Sequence, residues 1–590
     1  MNFHGLLFWS SVDAVVAAIL WPITIWILFS GFDDLLVDIV AGFAALRRRA
    51  RKDRPSRRTL LSQPQQPIAI LVPLWREDAV IARMVQQNTA SILYRNYQIF
   101  IGAYPNDELT LNEIRRLETR FSRVHLSICP HDGPTSKADC LNWIFQNILA
   151  YEQANDVRFD IIVTHDAEDV IHSDSLHWIN HYSLRYQMVQ VPVLPLRTPL
   201  TDWTHGVYID EFSEYQTRDM PARQAMGAFI PSQGVGTGFR RDALDALARS
   251  EDNRIFEPVC LTEDYENGLR LRLQGAEQLF LPFQQEGIVT REYFPRILRN
   301  AIRQRTRWIT GITFQTWDRH GWPGGLVQKY WLWRDRKGVF GNPISFLTNG
   351  LFVYGVIRWL SGAAIPDVPL LKVGALLGGY RMLYRMICVG RLFGIAFALT
   401  VPPRVVFANY INSAATFCAL RQFLSAKWQG LPLVWYKTQH AYPGQEALVQ
   451  RTMRLGELLV ANGYLNPPDL DHALESMPDN MRLGEHLVAM GRLDEESLYE
   501  ALSLQQSLPQ SRIEPSKVKR TIARLLPERV SAQYRLIPIR LDAGRLLVAG
   551  PEMPTPQLRE ELRRFTSLEI EFHLVTPRNY QELAKELLQA

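Results

Sequence analysis

Three acidic side chains follow a short apolar run in the middle of the chain. Asp166, Glu168 and Asp169 come directly after residues 159–163, which read Phe-Asp-Ile-Ile-Val. Carboxylates this close together repel one another unless a cation lies among them. Mg²⁺ and Mn²⁺ prefer oxygen ligands of this kind. The pattern predicts a metal site or, as the alternative, a solvated acidic turn before a helix, where acids are also stabilised.

Five further segments carry side chains that are typical of binding sites. They read YPNDE (104–108), TSKADCLNW (135–143), GVGTGF (234–239), LTEDYENGLRL (261–271) and RQRTRW (303–308). These segments supply carboxylates, a lysine, arginines, glycines and a tryptophan. Each pattern alone is weak because short patterns occur by chance, but together they indicate one site built from several elements.

Strands and helices must alternate to bring these segments together. Apolar runs within residues 67–78, 97–108, 125–130 and 159–169 predict strands, with a helical pattern after the first of them. This alternation predicts an α/β fold with a doubly wound parallel sheet. Ligands of such sheets bind at the carboxyl ends of the strands, which is where Asp107 and the acidic loop fall.

In this order, the six segments resemble the motifs of family-two glycosyltransferases with the GT-A fold. The closest likeness is to the processive branch that holds cellulose, chitin and hyaluronan synthases. Residues 165–170 stand where that family has D-x-D, residues 262–264 carry its T-E-D, and residues 304–308 carry its Q-x-x-R-W. The resemblance implies a GT-A domain that transfers a sugar from a UDP-sugar donor with inversion.

The resemblance also implies a role for each motif residue. Asp264 would be the general base, and Asp166 and Glu168 would hold Mg²⁺ or Mn²⁺ against the donor's diphosphate. Asp169 remains an alternative second ligand, because Glu168 is one methylene longer than the family's usual aspartate. The implied donor-binding residues are Asp107, Lys137, Gln304 and Arg307, and the implied acceptor-binding residues are Gly236, Thr237, Glu263 and Trp308.

The N-terminal region has the pattern of a membrane anchor. Residues 14–31 carry no charge and are just long enough to cross a bilayer. A basic run at 46–58 follows them, which puts the following chain in the cytoplasm. Residues 1–13 lack the positive charge of a cleaved signal peptide. Residues 33–46 predict an interfacial helix rather than a second span.

A second membrane region is predicted after the transferase motifs. Residues 343–360 and 382–403 are candidate spans, whereas residues 404–424 are ambiguous between a span and an interfacial helix. An even number of crossings in this region would return the tail to the cytoplasm.

A repeat with a period of about 28 residues lies in the tail. One copy, RLGELLVANGYLNPPDL, begins at Arg454, and the other, RLGEHLVAMGRLDEESL, begins at Arg482. Each copy predicts a helix, a glycine stop at Gly463 or Gly491, and a second helix. The repeats and the sequence after them resemble the MshEN domain of type II secretion and pilus ATPases, an α+β domain. This implies binding of cyclic di-GMP, and a plain helical docking module is the alternative.

The MshEN resemblance implies two similar half-sites. Met477 stands where the first repeat would have glutamine, whereas the second repeat keeps Gln505, so the first half-site is expected to be weaker. The implied cyclic di-GMP-binding residues are Arg454, Leu455, Gly456, Leu459 and Gly463 in the first repeat and Arg482, Leu483, Gly484, Leu487, Gly491 and Gln505 in the second.

The whole chain, at 590 residues, is too long for one core. Its net charge of +5 argues against nucleic acid as a partner, and its five scattered cysteines argue against a disulfide framework or a zinc site. We expect a membrane anchor at 1–60, a GT-A domain at 61–322, interfacial and transmembrane helices at 323–430, a linker at 431–445 and an MshEN-like domain at 446–590.

This domain combination resembles the phage adsorption protein B group of bacterial inner-membrane proteins. The resemblance implies a multi-pass inner-membrane protein with both soluble domains in the cytoplasm. Its activity would be a cyclic di-GMP-activated synthesis of an envelope or exported polysaccharide, with the growing polymer, the lipid bilayer and an outer-membrane export partner as partners, and self-association left open. Two alternatives remain: a non-processive transferase acting on a lipid carrier, and a catalytically dead receptor or scaffold.

Overall fold

The computed structural model describes residues 3–50, 55–250, 253–281, 288–362, 369–430, 454–461, 464–478, 481–506, 508, 510, 512–542, 545–555, 558, 561–563, 565–566, 568–588. The predicted linker at 431–445 and Gly463 lie outside these residues. The chain divides into two compact units. One comprises Met1–Ile81 and Asn96–Pro443, and the other comprises Ala82–Arg95 and Gly444–Ala590.

The first unit is built on a seven-stranded sheet, counted over the described residues, with the order β3-β2-β1-β4-β7-β5-β8. Its strands, together with the separate pair β6 and β9, are β1 (Ile68–Pro73), β2 (Tyr97–Ala103), β3 (Val124–Ile128), β4 (Ile161–Thr164), β5 (Met188–Gln190), β6 (Val193–Pro195), β7 (Thr237–Arg240), β8 (Gln278–Phe280) and β9 (Thr290–Glu292). The four strands predicted from the sequence are β1 to β4, and these run parallel as expected.

Strand β7 makes the sheet mixed rather than wholly parallel. It runs antiparallel to both β4 and β5, and Thr237 at its start is paired with Thr164 at the end of β4. The predicted parallel arrangement therefore holds for β1 to β4 but not for β7. The reversal has a functional consequence, because it brings the loop before β7 to the same edge as the carboxyl end of β4.

The helices of the first unit pack around this sheet and form a bundle beside it. They are α1 (Phe3–Ala50), α2 (Arg57–Ser62), α3 (Asp78–Ser91, which continues into the second unit), α4 (Glu108–Arg120), α5 (Lys137–Asn155), α6 (Ser175–Ser183), α7 (Trp203–Glu214), α8 (Met220–Ala225), α9 (Arg241–Ser250), α10 (Glu263–Leu273), α11 (Leu298–Trp308), α12 (Thr316–His320), α13 (Leu326–Arg336), α14 (Gly338–Leu360), α15 (Pro369–Phe393), α16 (Ile395–Leu399) and α17 (Val401–Gln429). Two π-helical segments, Tyr215–Asp219 and Ile309–Gln315, follow α7 and α11.

The N-terminal region forms one continuous helix, α1, so the separate interfacial helix expected at 33–46 is wrong. Asp33 and Asp38 in this stretch are buried. Asp33 pairs with Arg334 and Lys337, and Asp38 pairs with Arg218. Because these bases come from remote parts of the chain, the local charge pattern could not reveal them.

By length and hydropathy, one helix among the described residues qualifies as a membrane span, at Val12–Arg47. The candidate span at 382–403 is not one helix. Helix α15 ends at Phe393, Gly394 has a positive φ of 93°, and α17 begins at Val401. Val389, Phe393 and Val401 pack instead around Ile209 of α7.

The second unit contains the repeat helices and a small sheet. Strand β11 pairs antiparallel with β10 and parallel with β12. The elements are α18 (Leu455–Ala461), α19 (Pro467–Glu475), α20 (Leu483–Ala489), α21 (Glu495–Gln506), α22 (Arg520–Ala523), α23 (Glu528–Gln533), β10 (Ile537–Asp542), β11 (Arg545–Gly550), β12 (Glu569–Leu574) and α24 (Pro577–Leu587). The helix pair expected in each repeat is confirmed.

Candidate active site

A cleft opens at the carboxyl-end edge of the main sheet. Its open volume is about 990 Å³, including solvent at the mouth. Eight of the residues predicted from the sequence line it: Lys137, Asp166, Glu168, Glu263, Asp264, Gln304, Arg307 and Trp308. Four separate segments of the chain supply these side chains, as the motif order predicted.

Lys137 is a cation that interacts with three carboxylates of the cleft. It is the first residue of α5, where the Ser136 side chain caps the helix by accepting a hydrogen bond from the Asp139 N–H. Its Nζ lies 2.5 Å from Asp166 Oδ1. Burial alone would lower the pKa of Lys137, but the carboxylates of Asp166, Glu263 and Asp264 outweigh it and raise that pKa. The lysine is therefore a fixed cation beside the acidic loop.

In the acidic loop after β4, Glu168 and Asp169 lie in different surroundings. Glu168 lines the cleft, whereas Asp169 is fully buried. The Asp169 carboxylate lies 2.7 Å from His165 Nδ1 and accepts a hydrogen bond from the Asp166 N–H at 3.0 Å. Burial lowers the pKa of His165 to about 3, so the imidazole is neutral and can donate to Asp169. This geometry favours Glu168 over Asp169 as a second metal ligand.

Asp264 and Glu263 begin helix α10 and form a pair of acids deep in the cleft. Burial raises the pKa of Asp264, against the opposing charges of Lys137 and Arg307. Burial and the neighbouring Asp264 raise the pKa of Glu263 to about 7. A carboxylate with a raised pKa beside open space has the character of a general base that works near neutral pH.

Gly234 is a functional residue that the sequence reasoning missed. Its φ is +79°, and a side-chain Cβ there would lie 2.9 Å from Asp264 Oδ2 and 3.3 Å from Lys137 Nζ. Only a glycine leaves that space open beside the proposed base. Gly234 is the first glycine of the segment GVGTGF, whereas the family resemblance pointed to Gly236 and Thr237 in that segment.

Helix α11 presents the Q-x-x-R-W residues to the cleft. Gln304 Oε1 and Arg307 Nε are buried and have no hydrogen-bond partner among the described residues. Buried polar atoms of this kind favour a bound ligand as the missing partner. Trp308 contacts Tyr208 and Phe294 edge-to-face, with ring centroids 6.0 and 6.3 Å apart, so its orientation is fixed by packing.

Three predicted residues lie outside the cleft lining. Asp107 is buried, and its carboxylate accepts a hydrogen bond from the Arg76 N–H at 2.5 Å. Thr237 is fully buried, and its hydroxyl is 2.6 Å from Gln190 Oε1. Gly236 has φ +61° and lies against Thr290, where a Cβ would collide. These residues shape the backbone around the cleft.

The acidic loop places two carboxylates, those of Asp166 and Glu168, at the cleft. Among the described residues, no group of three or more His, Cys, Asp or Glu side chains is placed to hold a metal ion. Mg²⁺ commonly binds through one or two carboxylates plus substrate phosphates. Asp166 and Glu168, which both line the cleft, would be those two carboxylates.

In the second unit, the two repeats pack with matching geometry. A Cβ on Gly456 would lie 2.8 Å from Leu470, and one on Gly484 would meet Leu498 at the corresponding position. The same Cβ on Gly456 would also lie 3.3 Å from Leu483, and the one on Gly484 would lie 3.4 Å from Leu455. The glycines thus allow close helix packing inside a pseudo-symmetric pair.

The remaining predicted residues of the repeats occupy different surroundings. Leu459 and Leu487 are fully buried, so they hold the repeat core. Arg454, Arg482 and Gly491 are exposed, and Gly491 has φ +67°. Gln505 lies in α21.

Comparisons with known protein families identify both parts of the chain. Residues 64–311 match glycosyltransferase like family 2, and residues 506–590 match the MshEN domain. The MshEN match therefore covers the α/β half of the tail and leaves the two repeats outside it.

Comparisons with individual proteins cover more of the chain. Bacteriophage adsorption protein B of Escherichia coli strain K12 is 32% identical over 585 residues, covering 92% of this chain and 78% of that protein. The same figures hold for bacteriophage N4 adsorption protein B of E. coli O157:H7.

Two solved structures resemble parts of the chain. A mannosyltransferase from Pyrobaculum calidifontis, in complex with GDP-Man and Mn²⁺, is 16% identical and covers 68% of this chain and 98% of its own, with a TM-score of 0.43. A structure of MshE with cdg is 28% identical and covers 22% of this chain and 95% of its own, with a TM-score of 0.20.

The similarity to the two E. coli proteins extends over 92% of this chain, so it is not limited to a shared transferase domain. It confirms the resemblance inferred from the motifs and from the order of the domains. The chain belongs to the bacteriophage adsorption protein B family and joins a family-two glycosyltransferase domain of GT-A-like α/β fold to a C-terminal MshEN domain.

Proposed function

We propose that this protein is an inverting, metal-dependent glycosyltransferase that uses a UDP-sugar. The observation that carries the proposal is the convergence of Lys137, the acidic loop, the T-E-D acids and the Q-x-x-R-W residues in one cleft. An unrelated binding site would have no reason to combine an acid pair of raised pKa with buried, unpartnered polar atoms and an acidic loop at a sheet edge.

Each group in the cleft has a place in sugar transfer. Asp264 takes the proton from the acceptor hydroxyl as that oxygen attacks the sugar carbon. Gln304, Arg307 and Lys137 bind the diphosphate leaving group, and Arg307 brings a planar set of donors suited to phosphate. Asp166 and Glu168 would hold Mg²⁺ or Mn²⁺, which neutralises the charge that develops on the leaving group. Trp308 offers an apolar face to the acceptor sugar.

We propose processive addition, so that the product is an envelope or exported polysaccharide delivered to an outer-membrane partner. Trp308 and the aromatic side chains behind it support this, because a packed aromatic face can hold a sugar while the chain advances. Transfer of a single sugar to a lipid carrier is the second candidate, and sizing of the product separates the two. A dead scaffold would not need the acid pair in the cleft.

The placement in the membrane is proposed as multi-pass. Asp13 of α1 pairs with Arg358 of α14 at 2.6 Å, and Asp33 of α1 pairs with Lys337 at 2.7 Å. These ion pairs are twenty residues apart on α1, or about 30 Å at 1.5 Å per residue, which is the thickness of the hydrocarbon layer. Between them, α1 and α14 expose large apolar side chains, including Trp21, Phe29, Phe346, Phe352 and Val353.

Cyclic di-GMP is the proposed activator, and it would bind at the repeats. Their paired Gly–Leu contacts give two similar surfaces, which matches a ligand whose two halves are related by near two-fold symmetry. Arg454 and Arg482 begin the two copies and would supply charged donors to the two phosphates.

The test is a comparison of donor binding with turnover in the purified protein. Asp264→Asn should bind the UDP-sugar normally and lose transfer, because a base acts only in the transition state. Asp242→Asn, at an exposed surface acid, serves as the control. Turnover in Asp264→Asn close to that of the unmodified protein would remove the base assignment.

A further inference from the structure

The chain continues past the Q-x-x-R-W motif along the side of the T-E-D motif. The first contact is made by Gly311, in the π-helical segment Ile309–Gln315. A Cβ on Gly311 would lie 2.7 Å from Cγ2 and 2.9 Å from Cβ of Thr262. Thr262 is buried and stands two residues before Asp264, so it has no free space into which to retreat.

The second contact is made by Gln315, four residues later. Its Oε1 accepts a hydrogen bond from the Leu261 N–H at 2.9 Å, and its Nε2 donates to the Val259 carbonyl at 2.9 Å. A single side chain thus satisfies both a donor and an acceptor of the loop that leads into the T-E-D motif.

The third contact is made by Arg319 and His320 at the end of α12. Both bond the carboxylate of Glu266, at 3.0 and 2.8 Å, and Arg319 also bonds Glu257 at 2.7 Å. Glu266 is fully buried in α10, two residues after Asp264. A buried carboxylate is costly unless it is paired, so these bonds fix α12 against α10.

We infer that residues 311–320, named here the motif brace, set the position of the base relative to the diphosphate clamp. Gly311, Gln315 and Arg319 recur every four residues on the continuation of the helix that carries Arg307. On three successive turns they therefore contact the T-E-D motif or the residues that flank it. Gly311, Gln315 and Glu266 are positioning residues rather than catalytic residues. The inference rests on the proposed function, because it assigns them to the spacing between Asp264 and Arg307.

The test separates positioning from binding. Gly311→Ala pushes Thr262 and shifts the base, and a misplacement of about 1 Å can lower a rate by about 100-fold. We expect kcat to fall by about 10- to 100-fold, while donor Kd by calorimetry changes by less than about threefold. Gly325→Ala is the matched control, since Gly325 has nothing within 4 Å of an added Cβ.

A second variant keeps the test informative if Gly311→Ala folds poorly. Gln315→Ala should also lower kcat and leave donor Kd unchanged, and Gln315→Glu should not restore kcat, because a carboxylate oxygen would then face the Val259 carbonyl in place of the Nε2 donor. Unchanged kcat in a folded Gly311→Ala or Gln315→Ala would overturn the inference, as would equal losses of kcat and donor affinity. Absence of transfer in the unmodified protein would instead defeat the proposed function.

Discussion

At the scale of single residues, the chemistry of the cleft depends on charges held close together. Lys137 stands between the acidic loop and the T-E-D acids, and its charge lowers the cost of crowding those carboxylates. Asp264 and Glu263 nevertheless keep raised pKa values, because burial dominates at both. The site therefore combines a buried acid pair of raised pKa with an acidic loop that Lys137 contacts through Asp166.

The raised pKa values predict the pH dependence of transfer. A base acts only as a carboxylate, so activity is lost as the pH falls through the pKa of the acid pair. We expect the acid limb of kcat/KM to lie above the ordinary aspartate pKa of about 3.9, because burial raises the pKa of Asp264, the proposed base. Glu263→Gln removes a neighbouring negative charge and should move the limb to lower pH. A profile that is flat from about pH 5 to pH 8 would contradict the coupling.

Asp166 carries the prediction about the metal. Asp166→Asn removes a ligand charge from a loop fixed at the end of β4, so transfer should fall to background while the thermal unfolding midpoint changes little. The affinity of this variant for Mn²⁺ in the presence of UDP, measured by calorimetry, should fall as well. Normal Mn²⁺ binding by Asp166→Asn would show that Asp166 is not a metal ligand.

The sequence was sufficient to group side chains that the structure places in one cleft, but not to find a position that depends on backbone geometry. Lys137, Asp166, Asp264 and Arg307 carry functional groups within recognisable motifs, so their types and order were sufficient. Gly234 matters because it has no side chain beside Asp264. That role depends on how its loop packs against α10, which the sequence alone does not show.

At the scale of elements, the two repeats carry a graded prediction. The second half-site keeps Gln505 where the first has Met477, so it should bind cyclic di-GMP more strongly. Arg482→Ala should therefore cost more affinity than Arg454→Ala. Loss of a charged hydrogen-bonding partner costs about 1.5–3 kcal/mol, or roughly ten- to a hundred-fold in Kd. Titration of the full-length protein with cyclic di-GMP measures both, and equal losses would show that the half-sites are equivalent.

Elements whose partners are distant in sequence were the hardest to predict. Helix α1 was expected to break before Asp33, because acids in an apolar stretch usually mark the membrane surface. Instead, Asp33 and Asp38 meet Arg334 and Arg218 from elsewhere in the first unit, and the helix continues. Strand β7 was not among the predicted strands, and its antiparallel direction depends on pairing with β4 and β5, which local sequence patterns do not encode.

At the scale of the whole molecule, the ion pairs along α1 predict the topology. If α14 leads outward and α15 returns, as proposed, reporters fused after Arg58 and after Ala590 should both read cytoplasmic, whereas a reporter placed after Gly362 should read periplasmic. The basic run after α1 supports this orientation. A periplasmic signal from the fusion after Ala590 would contradict an even number of crossings.

The central claim is that the cleft transfers sugar and that cyclic di-GMP controls the transfer. The direct measurement is a screen of radiolabelled UDP-sugars with membranes that contain the protein, with and without cyclic di-GMP and with Asp264→Asn membranes as the control. We predict that at least one UDP-sugar is incorporated into a high-molecular-mass product, that cyclic di-GMP increases the incorporation, and that Asp264→Asn abolishes it. Incorporation that is absent for every UDP-sugar, or that is equal in Asp264→Asn membranes, would contradict the account.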